Sequence, residues 1–254
     1  MGQRLTTDVG DSFIMKRTSF LALSGCVLLC CAAYFGRSIW HPVYLSISGK
    51  RSETDFEQTR RAALMRVKPF LAKAGFTQTP SAIALLAFKQ ERRLELWAQN
   101  GSSWLPVKSY PILAASGKAG PKLREGDKQV PEGIYQVSFL NPNSNFHLSM
   151  KLNYPNAFDL QKAALDKRDP AKLGGDICIH GWEVSVGCIA IGNVAIEELY
   201  FLADRVGARN VKVLIAPNDL RRMAPITRTQ LPWLNDLYGN LKTELQAFTV
   251  RTRS

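Results

Sequence analysis

Two residue types that carry much of enzyme chemistry are scarce in this 254-residue sequence, which has three histidines and five cysteines. Cys26, Cys30 and Cys31 lie in one apolar N-terminal stretch, leaving Cys178 and Cys188 for the remainder. Two cysteines in a domain of this size exclude a disulfide framework; they leave one bridge or a working thiol. No CxxC or HxxxH clamp is present, so the usual ligand spacing of a zinc site is missing. Repeats and low-complexity tracts are also missing, and a hydrophobic content of 46% excludes a generally disordered chain. Charge of one sign is in excess, at +12, which favours anionic partners. That excess is spread over residues 50–73, 118–128, 162–172 and 221–253. With no nucleic-acid motif and no basic run interleaved with aromatics, it reads as solvated surface charge, and no nucleic-acid partner is expected.

One long apolar run is present. Lys16 and Arg17 precede "FLALSGCVLLCCAAYF", residues 20–35. At ~1.5 Å per residue the run falls slightly short of a ~30 Å hydrocarbon core, and Ile39 and Trp40 extend it while Arg37 snorkels. The expectation is a cytoplasmic leader over 1–18, an uncleaved transmembrane signal anchor over 19–40 and a linker over 41–53. The rest, 54–254, is then exported. Cleavage near Ala33 is the alternative, and Met15 is an alternative start. "LSGC" at 23–26 looks like a lipobox, but apolar rather than polar sequence follows it.

Beyond the linker, residues 54–73 have helical spacing in Phe56, Ala63, Leu64, Val67 and Leu71, with Pro69 expected to end or kink the helix. Residues 82–112 read as three strands with turns at 90–92 and 100–101. "IYQVSFL" and "FHLSMKLNY" are two more strands and "VKVLIAP" a last one. Asn193 is placed to cap a helix that stops at Gly207. Leu234, Leu237, Leu241 and Leu245 predict a C-terminal helix within a tail of 226–254. The fold class is β-rich α+β with flanking helices.

The stretch "DICIHGWEVSVGCIAIGN", 176–193, holds the third histidine and both remaining cysteines. Read as an antiparallel hairpin with His180 opposite Cys188, alternation puts Cys178, His180, Cys188 and Ala190 on one face. Ile177, Ile179, Ile189 and Ile191 then form the buried one. Opposite Cβ atoms stand ~5 Å apart, within reach of an imidazole and a thiol. Cys178 is diagonal to Cys188 in this register, too far for an unstrained disulfide. A thiol beside a histidine suits nucleophilic catalysis: the thiolate attacks a carbonyl and His180 protonates the leaving amine. Gly187 would let backbone amides approach a developing oxyanion, and Gly181 would let the loop turn after the base. A buried cysteine with a satisfied histidine remains the bland alternative. A metal site of Cys178, His180, Cys188 and His147 has the elements but no clamp.

At these residues the sequence resembles the L,D-transpeptidase catalytic domain of the YkuD type, a bacterial cell-wall enzyme family. The pattern is His180-Gly181, a loop, then Ser185-Val186-Gly187-Cys188, with "GPKLREGDKQVPEGIYQV" (120–137) resembling a second family stretch. The resemblance covers roughly 82–217. It implies a β-sandwich-like catalytic core, Cys188 as nucleophile and His180 as proton donor and acceptor. The implied substrate is the peptidoglycan stem peptide, attacked at a carbonyl next to diaminopimelate, with no metal or organic cofactor. The implied location is the periplasm, anchored to the inner membrane or free there if the signal is cleaved. Two departures stand out: the His–Cys loop is about half the usual length, and Ala190 takes the place of the family's arginine. Together with "NPNSNFHLSMKLNYPNAFD" (141–159), they resemble a sub-branch containing an amidase that releases a diaminopimelate-linked lipoprotein. Ser185, His147, Tyr154 and Asp159 are candidate cleft residues. A non-catalytic wall-binding module is the alternative of another class; it predicts loss of nucleophile or base, and both are present.

Overall fold

A computed structural model describes residues 52–227 and 230–249. The expected leader and membrane anchor (1–40), and most of the linker after them, lie outside these residues. Among the described residues no helix is long and apolar enough to cross a membrane.

Six consecutive buried residues, "IALLAF", form β1 (Ile83–Phe88). A strand with no polar face belongs in the middle of a sheet covered on both sides, and β1 lies there. It pairs antiparallel with β2 (Arg93–Asn100) and parallel with β9 (Val211–Ala216). β3 (Ser103–Pro111) closes that edge against β2. β5 (Gly133–Ser144) is long enough to serve two neighbours. Residues 133–136 pair with β9, and the rest pairs with β6 (His147–Leu152) through a register shift between Val137 and Phe139. Beyond β6 come β7 (Cys178–His180), β8 (Ile189–Ala190) and β4 (Ala114–Ala115). The order of the nine-stranded mixed sheet is β3-β2-β1-β9-β5-β6-β7-β8-β4. The layering expected as sandwich-like is therefore carried by one sheet that passes through β5.

Alternation along β1 sends Ile83, Leu85 and Ala87 to one face and Ala84, Leu86 and Phe88 to the other. The first face joins the larger core, with α1 (Glu53–Lys73) and α3 (Asn193–Val206) packed on it. The second is covered by α4 (Leu234–Leu245), whose Leu237, Leu241 and Leu245 meet Leu86, Phe88 and Leu214. Burying each of these leucines contributes ~1.5–3 kcal/mol. That cover is the role of the C-terminal helix. A short α2 (Ala157–Leu165) follows β6.

Two local expectations are corrected. Pro69 does not end α1, which continues through it to Lys73. The N-cap of α3 is Gly192, not Asn193; the Asn193 side chain instead accepts the Trp182 amide at 3.0 Å.

The upstream motif stretch is a clamp. Buried Glu132 accepts from Lys89 Nζ (3.0 Å), the Gly120 amide (2.8 Å) and Tyr238 Oη (2.9 Å). Asp127 accepts from Lys122 Nζ and from the amides of Leu123, Arg124 and Gln129. A buried carboxylate holds its place only when so satisfied. These contacts hold the 117–132 loop against the end of β1 and against α4.

Candidate active site

Ile177, Ile179, Ile189 and Ile191 are all in the larger core, at most 3% exposed. Their alternates, Cys178, His180, Cys188 and Ala190, therefore share the opposite face, as the isoleucine pattern requires. The strand direction differs from expectation: β7 and β8 are parallel, with Ile179 facing Ile189 and His180 facing Ala190. Parallel neighbours ordinarily need a connection of a dozen or more residues. Strands of three and two residues, rising ~3.3 Å each, leave a return short enough for residues 181–188. Because the side-chain period is two in either direction, the shared face survives. What changes is the partner of each cysteine.

The sulfur of Cys188 accepts the Cys178 amide at 3.4 Å. A hydrogen bond from the Cys178 thiol, then one from His180, outweigh burial and bring the Cys188 thiol down to about 5. The same hydrogen bond, with burial, pushes the Cys178 thiol up. One sulfur is thus set up as thiolate and the other as its donor. Both are free thiols.

His180 is 1% exposed. Its Nδ1 lies 2.6 Å from the Gly181 carbonyl, which can only accept, so Nδ1 carries the proton and Nε2 is the basic end. Phe146 stacks on the ring at 4.5 Å, and Trp182 meets Phe146 edge-on at 5.8 Å. A ring held by one hydrogen bond and one stack has little freedom to turn away.

The loop between them is held by two serines. Ser185 Oγ donates to the Cys188 carbonyl (2.6 Å) and accepts the Ser116 amide (3.0 Å). Ser116 Oγ donates to the Lys128 carbonyl (2.7 Å) and accepts the Gly187 amide (2.6 Å). The Gly181 amide donates to Leu148 O at 3.2 Å. Both glycine amides are therefore committed within the protein. Each position also has a steric reason to be glycine. Gly187 stands at φ +98°, a left-handed backbone that side chains disfavour. A Cβ on Gly181 would stand 2.7 Å from both Asn193 Oδ1 and the Phe146 carbonyl.

Three candidate cleft residues serve elsewhere. His147 Nε2 pairs with Glu197 Oε1 of α3 at 2.7 Å, so it does not join Cys178, His180 and Cys188. Tyr154 is buried in the larger core, with its hydroxyl 3.4 Å from the Leu173 carbonyl. Asp159 forms a reciprocal capping box with Asn156 at the start of α2, and burial pushes its carboxyl up to about 6. Their polar groups are used within the fold. Among the described residues no group of three or more His, Cys, Asp or Glu side chains is placed to hold a metal ion.

A family model for the L,D-transpeptidase catalytic domain (YkuD) matches residues 83–215, more than half the chain and nearly all of the strand framework above. The chain belongs to the YkuD family. YafK of Escherichia coli K12, a candidate L,D-transpeptidase by its name, is 35% identical over 142 residues, 54% of each protein. This chain thus spans about half the length of the curated relatives it matches. Among solved structures, Pgp2 of Campylobacter jejuni, a helical cell shape determining protein, is 22% identical at a TM-score of 0.44. That match covers 73% of this chain and 65% of Pgp2. L,D-transpeptidase 1 of Mycobacterium tuberculosis is 13% identical at 0.30, covering 53% and 61%.

In this YkuD domain the residues that sequence reading missed are Ser116, Phe146, Asp176 and Lys151. Ser149 and Lys151 face His180 and Cys178 across β6 and β7. Their signal was present, since "HLSMKL" alternates and its polar residues belong on one face. Ser116 and Phe146 had none, because their contacts span 69 and 34 positions.

Proposed function

We propose that this protein is a cysteine-dependent acyltransferase acting on peptidoglycan stem peptides, an L,D-transpeptidase in activity as well as in family. The observation that supports it most is the Cys188 sulfur, which accepts the Cys178 amide beside a histidine whose basic nitrogen is fixed by its other one. A neutral packing pair would have no use for a thiolate.

In this reading Cys188 passes its proton to His180 Nε2 and, as the thiolate, attacks the carbonyl carbon next to diaminopimelate. The tetrahedral intermediate collapses, the C–N bond breaks, and His180 Nε2 delivers the proton that the departing amine needs. A thioester remains on Cys188. An acceptor amine then attacks it, His180 takes the amine's proton, and the thiolate is released. Water in place of the amine would make the same site a hydrolase, the activity needed to free a diaminopimelate-linked lipoprotein. The periplasm, with residues 19–40 as a membrane anchor, is the proposed location.

The test incubates the protein with purified muropeptides and, separately, with lipoprotein-bearing sacculi, reading products by mass spectrometry. New crosslinks or amine-exchanged stems are expected. Shortened stems or freed lipoprotein without new bonds would turn the reading to hydrolysis. Cys188→Ala is expected to lose ~10³-fold or more of the activity while melting within ~1 kcal/mol of wild type, as its small half-buried side chain implies. Unchanged turnover by that variant would sink the proposal.

A further inference from the structure

Cys178 and Cys188 flank one carbonyl oxygen. The Asp176 carbonyl oxygen lies 3.5 Å from one sulfur and 3.6 Å from the other. Asp176 itself stands at φ 54°, a left-handed conformation that aspartate tolerates. The cause of the pairing is the parallel register: Ile179 faces Ile189, so 178 and 188 are the next pair outward on the same two strands. Neighbouring strands run ~4.8 Å apart, inside the ~4.4–6.8 Å range of Cα separations that a disulfide spans. Both thiols are partly open to solvent.

The geometry points to a redox modification site in which Cys178 and Cys188 form a reversible dithiol–disulfide pair, sealing the Cys188 sulfur when oxidised. The oxidant is an exchange-active organic disulfide, R–S–S–R. Cys188 thiolate attacks one of its sulfurs, the S–S bond breaks, one R–S⁻ leaves, and Cys188 carries a mixed disulfide. Cys178 then loses its proton and attacks the Cys188 sulfur, expelling the second R–S⁻. The two thiols give up two electrons and two protons, and the oxidant ends as two thiols.

The order of events follows from the contacts. The sulfur that accepts the Cys178 amide is the better thiolate and reacts first, while Cys178 resolves the adduct. Lys151, the β6 partner of Cys178, favours ionisation of that thiol, while the Asp176 carboxylate it pairs with opposes it. Closing the bridge also keeps Cys188 from irreversible oxidation to sulfinic acid. Loss of acyl transfer on bridging rests on the proposed function; the bridge itself does not.

The sequence supplies a clean readout. No Lys or Arg lies between Lys172 and Arg205, so trypsin releases 173–205 as one peptide holding both cysteines and none of Cys26, Cys30 or Cys31. The reduced full chain is treated with oxidised glutathione, quenched in acid, alkylated with iodoacetamide and digested. The peptide is expected unlabelled and two hydrogens lighter, and dithiothreitol restores two labels. In Cys178→Ser the glutathione is expected to stay on Cys188. A doubly alkylated peptide from oxidised wild type, or a lasting glutathione adduct on it, would overturn the pair. Muropeptide turnover of the same samples is expected to fall with the bridged fraction and to return on reduction; full turnover by bridged protein would overturn the sealing. A bridge that forms in a protein whose reduced state turns over no muropeptide supports the pair and counts against acyl transfer.

Discussion

The ring of His180 is tied to the residue that follows it: Nδ1 lies 2.6 Å from the Gly181 carbonyl. That single bond assigns the tautomer, because a carbonyl accepts and never donates. It also makes the orientation of the ring depend on where the backbone of Gly181 sits. Gly181 in turn is wedged between α3 and the start of β6, so the ring inherits its position from two distant elements.

Gly181→Ala should therefore damage the fold and the site together. Its Cβ would meet a backbone oxygen, Phe146 O, at 2.7 Å, and backbone cannot rotate away as a side chain can. Overpacking of this kind costs ~1–3 kcal/mol, read as a lower midpoint in urea. A midpoint equal to wild type would show that the loop relaxes freely.

Cys178→Ala removes the thiol that donates to Cys188 but keeps the amide that does so. With the largest stabiliser of the thiolate gone, the Cys188 pKa should rise from about 5 toward its ordinary value of 9.0. The sign is set by the charged form: losing a donor to an anion always favours protonation. The pH dependence of iodoacetamide labelling of residue 188 measures it. An unmoved titration would assign the thiolate to His180 and the residue-178 amide.

Ser116 and Ser185 act as one unit, since their hydroxyls lie 3.1 Å apart and each also bonds the other's loop. Either alanine substitution should cost ~1 kcal/mol by leaving partly buried partners unsatisfied. The double mutant should cost less than the two together, with a coupling of ~0.5–3 kcal/mol. Additive losses in denaturant titrations would mean the two serines work separately. Amide exchange at Gly187 should also speed up in Ser116→Ala.

Asp159 predicts a pH-dependent term away from the site. Burial raises its folded pKa from 3.8 to about 6, so the folded state holds the proton more tightly than the unfolded chain. The resulting stability is present below about 3.8 and lost as pH rises through about 6. Asp159→Asn keeps a cap acceptor and cannot ionise. Its stability relative to wild type should increase across that window, followed by thermal melts at a series of pH values. A constant difference would place the ionisation elsewhere.

Much of the fold was legible because its signals are local. A six-residue apolar run announced a central strand, leucines at 234, 237, 241 and 245 announced a helix, and turn residues marked most hairpins. The capping of α3 was misread because Asn193 and Gly192 both suit a helix start; Trp182, eleven positions upstream, decided between them by claiming the Asn193 side chain. Pro69 was misread because its missing donor and its ring cost a helix energy that the packing of Ala63, Val67 and Leu71 on the core can outweigh.

The sequence by itself determined that Cys178, His180 and Cys188 share a face, since a period of two holds whichever way a strand runs and four isoleucines needed burying. It could not determine which way the second strand ran. That direction depends on whether residues 181–188 fold back or carry the chain round, and the outcome rests on hydrogen bonds with Ser116 and Asn193, both outside that stretch. Only the tertiary structure decided that the two strands are parallel. With that decision came the pairing of the two sulfurs, because register is a property of neighbours in space while alternation is a property of one strand.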